Sequence, residues 1–211
     1  SAAKAPAGPV NLLGLDRQGF LDFCGGMGEK PFRAHQLMRW VHQRGVADWS
    51  AMTDLARSFR ERLQDNALIQ APSVLKDHTA PDATRKWLFD VGAGNAVEAV
   101  FIPDGDRATL CISSQVGCKM DCLFCMTGKQ GWNGNLSAAE ILNQIFSVDE
   151  AAELTNLVYM GMGEPLDNTD EVLRSIEALT EPWGMGWSPK RITVSTIGAK
   201  GLERFLAESR C

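Results

Sequence analysis

Three cysteines fall within eight residues, at Cys118, Cys122 and Cys125 in the run Cys118-Lys119-Met120-Asp121-Cys122-Leu123-Phe124-Cys125. Thiolates are soft ligands that suit iron–sulfur clusters or zinc, so a fold carrying this loop must present three sulfurs to one metal centre. Three thiolates hold three corners of a cubane and leave one iron open to a further ligand. A structural zinc site is the competing account, and it needs four ligands. His35, His42 and His78 lie well upstream, and only Cys24, Cys111 and Cys211 remain as thiols, so the fourth zinc ligand is hard to find.

The rest of the chain has to support such a loop. Its 211 residues and 45% hydrophobic content suit one large globular domain, or a small domain beside a larger one, and argue against disorder. Ser1 to Pro9 has neither a basic nor an apolar leader region, and no run of about 18 apolar residues follows. A cytoplasmic setting without a membrane partner is therefore expected. Six cysteines without a secretory signal, half of them on one loop, favour metal or redox chemistry over three disulfides. The net charge of −5 excludes a generally basic surface. Lys30, Arg33, Arg39, Arg44, Arg57, Arg60 and Arg62 nevertheless outnumber the acids between Glu29 and Arg62, a weak pointer to a polyanion partner there.

The hydrophobic period divides the chain in three. Asp16 to Asn66 reads as helices, with Pro31 suited to a first turn and Leu55, Phe59 and Leu63 repeating at i, i+4, i+8. Residues 1–75 are read as a small helical domain and 76–107 as a β-hairpin linker region. In that region, strands at Lys86–Val91 and Ala96–Ile102 are joined by a Gly92-Ala93-Gly94-Asn95 turn, with a second turn at Pro103-Asp104-Gly105 leading to Ala108–Ser113. Residues 108–211 alternate strand and helix. Ser137 to Glu140 forms a capping box, Leu157–Met160 a strand, Asn168 or Thr169 a helix start, Arg191–Ser195 a strand, and Gly201–Glu208 a final helix. Such βα repetition implies a parallel sheet or barrel with its functional loops at the C-terminal ends of the strands. The cysteine loop, the Gly161 loop and Ser195 all fall at such ends.

Taken singly, the other candidate residues have ordinary explanations. Gly161-Met162-Gly163-Glu164-Pro165 is a Gly-rich turn with one carboxylate, and Ser195 a turn former. Glu98 is an outward-facing strand charge, and Cys111 a small hydrophobe on its strand.

The order of the motifs changes that judgement. The CxxxCxxC loop with an aromatic before its last cysteine resembles the radical S-adenosylmethionine (SAM) superfamily. Ala108 through Cys118, Phe124 through Gly131 and Gly161 through Leu166 resemble the RlmN/Cfr family of radical SAM RNA methyltransferases, the RlmN branch more closely. Lys30-Pro31-Phe32-Arg33-Ala34-His35-Gln36 resembles that branch's N-terminal signature. The resemblance implies an α/β fold in which about half of a (βα) barrel follows a helical domain and a hairpin region. It implies a [4Fe-4S] cluster on Cys118, Cys122 and Cys125, with SAM contacted by Gly163, Glu164 and Ser195. It further implies Glu98 as proton acceptor and Cys111 as a resolving thiol in a transient disulfide with a methyl-carrying cysteine near the family C-terminus. The implied reaction generates a 5′-deoxyadenosyl radical and places a methyl group on adenine C2, in 23S rRNA and tRNA, with an electron donor such as flavodoxin. The Lys30–Arg62 segment would dock RNA through phosphates.

Family members are longer, and the chain is expected to be truncated before a Ser-Leu-His SAM motif and the methyl-carrying cysteine, hence inactive on its own. Cys211 sits too early to be that cysteine. The other readings are Cfr-type C8 methylation, another radical SAM enzyme such as an activase or dehydrogenase, and a zinc-stabilised RNA-binding module.

Overall fold

In the computed structural model, which describes residues 8–209, buried apolar side chains gather in two clusters. The first belongs to the N-terminal helices. A short strand β1 (Val10–Asn11) is followed by α1 (Arg17–Gly26), whose Asp16 cap accepts the Gly19 N–H at 2.8 Å. Next, α2 (Pro31–Met38) starts with Pro31 in its first turn, where a missing N–H costs nothing. It runs on into a π-helical turn over Arg39–Gln43. Helix α3 (Arg57–Asn66) then leads into β2 (Ala67–Leu68), which pairs in parallel with β1. Phe59 and Leu63 are the buried face of α3, whereas Leu55 is buried in the turn before it.

The second cluster lies between a six-stranded sheet and its helices. An antiparallel meander comprises β3 (Val74–Thr79), β4 (Arg85–Asp90), β5 (Ala96–Asp104) and β6 (Arg107–Cys111). A short pair, β7 (Gln115–Gly117) and β8 (Trp132–Asn135), flanks the cysteine loop and the single turn α4 (Met126–Lys129). Then come α5 (Ala138–Phe146), β9 (Asn156–Tyr159), α6 (Thr169–Thr180), β10 (Ile192–Val194) and α7 (Leu202–Glu208). β9 pairs in parallel with β6, and β10 with β9, so the sheet runs β10-β9-β6-β5-β4-β3. The partial (βα) barrel is therefore present as its parallel portion. The strands expected as a hairpin linker extend the same sheet, and the second turn sits at Gly105-Asp106, because Pro103 and Asp104 stay in β5. β3 went unanticipated: every one of its residues is exposed, so it lacks the alternation that marks a half-buried strand.

Strand alternation assigns two faces. Trp87, Phe89, Val97, Ala99, Leu110, Leu157 and Tyr159 bury against Ile141, Ile145, Val172 and Ile176 of α5 and α6. The opposite face carries Leu88 across from Glu98, Val100 across from Cys111, and Cys111 across from Val158. This face, turned away from α5 and α6, is where chemistry has room.

Two helix starts show how local sequence fixes the frame. The capping box at α5 is complete: Ser137 Oγ accepts the Glu140 N–H while the Glu140 carboxylate accepts the Ser137 N–H at 2.8 Å. Ser137→Ala is expected to lower stability by about 1 kcal/mol, read as a reduced urea midpoint at unchanged m-value. At α6, Asn168 occupies the cap position without capping. Its side-chain amide instead donates to Ser114 O at 2.9 Å and Leu136 O at 2.8 Å, tying the helix start to the segment entering the cysteine loop.

The two clusters meet at His42, whose ring lies 5.4 Å from Phe20 and 5.1 Å from Phe146. Gln43 adds a hydrogen bond to Pro182 O at 2.8 Å. Among the described residues, no helix is long and apolar enough to cross a membrane.

Candidate cluster and cofactor site

The cysteine loop is closed at its base by backbone. Cys118 N–H donates to Gly131 O at 3.0 Å, and Gly117, at φ +78°, packs so closely that a Cβ there would sit 1.8 Å from that oxygen. Above the base, Lys119 pairs with Asp167 at 3.2 Å and lies over the Trp132 ring at 4.0 Å. Cys125 N–H closes a turn onto Cys122 O at 2.9 Å. Hydrogen bonding from the Gly128 backbone holds the Cys125 thiol below its ordinary pKa and favours the thiolate, with Thr127 adding to the effect. Leu123 and Phe124, 91% and 92% exposed, stand out from the loop.

No three His, Cys, Asp or Glu side chains among the described residues are gathered into a ligand set, so the three sulfurs are not preassembled. The donor set nonetheless fits an iron–sulfur cluster: three free, partly exposed thiols on one short loop. Ligands that are near in sequence but ungathered draw together as metal binds.

The segment after β6 is zipped to the loop after β9. Gly161 N–H donates to Ile112 O at 3.0 Å, and both Ser114 N–H and Gln115 N–H donate to Met162 O, at 2.9 and 3.2 Å. A Cβ on Gly161 would lie 2.7 Å from Ile112 O, and one on Gly163, at φ +100°, 2.6 Å from Gln115 Cβ. The close approach that these glycines permit is thus made by the chain itself, to the strand leading into the cysteine loop. Ser113 adds a link to the meander, its hydroxyl donating to Glu98 O at 2.6 Å and accepting the Met162 N–H at 2.9 Å.

Glu164, read from sequence as a turn carboxylate, is buried. It accepts the Leu166 N–H at 3.0 Å, the Ile197 N–H at 3.1 Å and the Thr196 hydroxyl. Its own N–H donates to Gln115 Oε1 at 2.9 Å. Ser195, immediately after β10, is exposed at the same rim.

Glu98 stands on the face turned away from α5 and α6, beside a cleft of about 330 Å³ lined by Lys86, Leu88, Ala96, Met126, Thr127, Gln130 and Met162. That cleft joins the glutamate to the residues just after Cys125 and to the Gly161 loop. Lys86 Nζ meets Glu98 Oε1 at 2.7 Å, a partner that sequence reading missed although the Gly92–Asn95 turn already set the register that brings them together. Cys111 is half-buried on the same face, and burial raises its thiol pKa against an opposing hydrogen bond from the Met160 backbone. Cys24, Cys111, Cys118, Cys122 and Cys125 are all free thiols, so the disulfide expected of Cys111 is not formed among the described residues, and Cys211 lies outside them. In the N-terminal segment, Arg33 and Arg62 pair with Glu29, and Arg57 with Glu61, which spends much of the expected basic surface internally.

Comparison with known proteins bears on this arrangement. Residues 10–69 match the ribosomal RNA large subunit methyltransferase N-terminal domain, and residues 112–209 match the radical SAM superfamily. A Porphyromonas gingivalis protein named "Probable dual-specificity RNA methyltransferase RlmN" is 67% identical over 96% of this chain. This chain is similar to RlmN proteins over nearly all of its length. A relative of the same name from Phocaeicola vulgatus is 52% identical over 95% of the chain. The chain spans 57% and 58% of these two RlmN relatives. The crystal structure of a radical SAM methyltransferase from Sphaerobacter thermophilus superposes with a TM-score of 0.82 at 33% identity, covering 96% of this chain and 61% of that one. The radical SAM match implies a [4Fe-4S] cluster and SAM, and the half-barrel with its thiol-bearing loop is consistent with both.

Proposed function

We propose that this chain is the cluster- and SAM-binding part of a radical SAM methyltransferase acting at adenine C2 in 23S rRNA and tRNA. The observation that carries the reading is the cleft shared by Glu98, Met126, Thr127 and Met162, which brings the meander, the turn after the cysteine loop and the Gly161 loop to one face of the sheet. Cys118, Cys122 and Cys125 would hold the cluster, with the Gly161–Glu164 loop and Ser195 forming the rim for SAM. Bound together, cluster and SAM supply carbon-centred radical chemistry at an sp² carbon that offers no lone pair for polar methyl transfer.

The chain's own residues do the positioning. Lys86 engages one oxygen of Glu98 and fixes the carboxylate over the cleft, leaving Oε2 to take the proton that departs from adenine C2. Cys111 presents a half-buried thiol one residue before Ile112, whose carbonyl accepts the Gly161 N–H. Lys30, Arg39, Arg44 and Arg60, which make no ion pair among the described residues whereas Arg33, Arg57 and Arg62 do, are the N-terminal cations assigned to RNA phosphates. An electron donor such as flavodoxin and a cytoplasmic setting belong to the same proposal.

A protein containing this chain within the full length of its relatives should convert adenosine to 2-methyladenosine in 23S rRNA and tRNA, identified by mass spectrometry of digested RNA. Glu98→Gln should lower that yield by about 100-fold or more, the usual scale of a lost general base. Appearance of 8-methyladenosine would move the chain to the Cfr reading, and full activity of the Glu98→Gln protein would remove Glu98 from the proton-transfer role.

A further inference from the structure

The cleft beside Glu98 holds one polar side chain that the protein leaves unused. Lys86 and Glu98 are engaged with each other at 2.7 Å, and the Thr127 hydroxyl is hydrogen-bonded to the Cys125 thiol. Leu88, Ala96, Met126 and Met162 offer the cleft apolar surface. Gln130 lines the same cleft, is exposed, and has no hydrogen-bond partner for its carboxamide among the described residues. Its backbone, by contrast, is fixed. The Gln130 N–H donates to Met126 O at 3.2 Å, and the next residue, Gly131, accepts the Cys118 N–H at 3.0 Å. The free carboxamide is therefore carried by the turn that closes the cysteine loop, in the cleft where Glu98 has one oxygen to spare.

An adenine whose C2–H faces Glu98 Oε2 presents N1, an acceptor, and the 6-amino group, a donor, along the edge beside that C–H. A lysine ammonium can only donate and a carboxylate can only accept, whereas a carboxamide does both from one planar group. We propose that Gln130 is a specificity-determining residue that reads this edge, its N–H donating to N1 and its oxygen accepting from the 6-amino group. The inference rests on the adenine-C2 reading of the cleft and names the group that selects the base there. A base on which chemistry is done is taken out of the stack and read through its Watson–Crick edge, and amide side chains pair with adenine through two hydrogen bonds. Met126 and Met162 supply polarizable apolar contacts of the kind that suit the faces of the ring.

The test is a cycle between protein and base, run with this chain in the full length of its relatives. Synthetic RNA hairpins carry adenosine, purine riboside or 1-deazaadenosine at the target position. Purine riboside lacks the 6-amino group, and 1-deazaadenosine has a C–H in place of N1. The rate of C2 methylation is read by mass spectrometry in a single turnover. Wild type should lose roughly 10- to 100-fold on either analogue, the scale of a lost two-bond base contact. Gln130→Met keeps the side-chain length without the amide, so it should lose a similar factor on adenosine and then treat all three bases alike within about twofold. Comparing the two proteins on the same bases cancels changes in the base's own reactivity. If Gln130→Met loses the same factors as wild type on both analogues, Gln130 does not touch that edge and the proposal is overturned. Should Gln130→Met fail to take up iron, Gln130→Glu decides in its place. It keeps the acceptor without the donor, so it should still respond to loss of the 6-amino group and no longer to loss of N1, and an unchanged response to N1 overturns the proposal. If wild type places no methyl group at C2 of adenosine, the C2 reading itself fails and the proposal falls with it.

Discussion

Gly117→Ala is expected to destabilise the protein by roughly 3 kcal/mol or more and to open the base of the cysteine loop. Two costs add at this position. An alanine held at φ +78° sits in the left-handed region, which costs about 1–3 kcal/mol for a residue with a Cβ. That Cβ would also lie 1.8 Å from Gly131 O, so the two strands must separate and the Cys118 N–H to Gly131 O bond, of order 1 kcal/mol, is lost with them. Urea unfolding checks the first effect, and iron uptake under reconstitution checks the second, since Cys118 is displaced with its amide. Gly134→Ala on the partner strand is the control. Nothing lies within 4 Å of its added Cβ, and its effect should stay within about 0.5 kcal/mol.

Acidification is expected to remove about 3 kcal/mol of stability through one side chain. His42 is buried between Phe20 and Phe146, and its Nδ1 has no hydrogen-bond partner. Burial pushes its pKa down from 6.5 to about 4, so the folded protein holds it neutral. Below pH ~6.5 the unfolded chain binds a proton that the folded chain does not, and stability falls as pH drops. The contribution is fully present above pH ~6.5 and gone below pH ~4, at about 1.4 kcal/mol per pKa unit. Asp16, Arg17, Arg174 and Glu177 line the cavity beside the ring and shift the midpoint without reversing the sign. His42→Leu should flatten the stability profile between pH 6.5 and 4. An unchanged slope would place the acid sensitivity elsewhere.

What the sequence disclosed follows from how locally each feature is determined. Ser137 and Glu140 satisfy each other within one helical turn, so that helix start was legible from four residues. The inner strands β4, β5, β6 and β9 announced themselves because one face is buried, whereas β3, exposed throughout, left no pattern to read. The Gly161 loop and Ser195 follow β9 and β10, as βα alternation requires, whereas the cysteine loop follows β7, in a short antiparallel pair that the alternation did not announce. The purpose of the glycines was not legible. Gly161 and Gly163 face Ile112 and Gln115, some fifty positions earlier, a contact that only the parallel pairing of β6 with β9 creates. Glu164 likewise finds its partners at Thr196 and Ile197, across the β9–β10 crossover. The basic N-terminal segment read as a charge count concealed the ion pairs that Glu29 and Glu61 make within it.

Everything functional depends on the metal that the loop from Cys118 to Cys125 accepts. Anaerobic reconstitution of the chain with iron and sulfide, followed by metal and acid-labile sulfide analysis, tests this directly. Iron and sulfide are expected in equal amounts, at the stoichiometry of one [4Fe-4S] cubane per chain, and both should be lost when Cys118, Cys122 and Cys125 are all replaced by alanine. Zinc without iron in the wild-type chain, or iron retained by the triple variant, would contradict the cluster assignment.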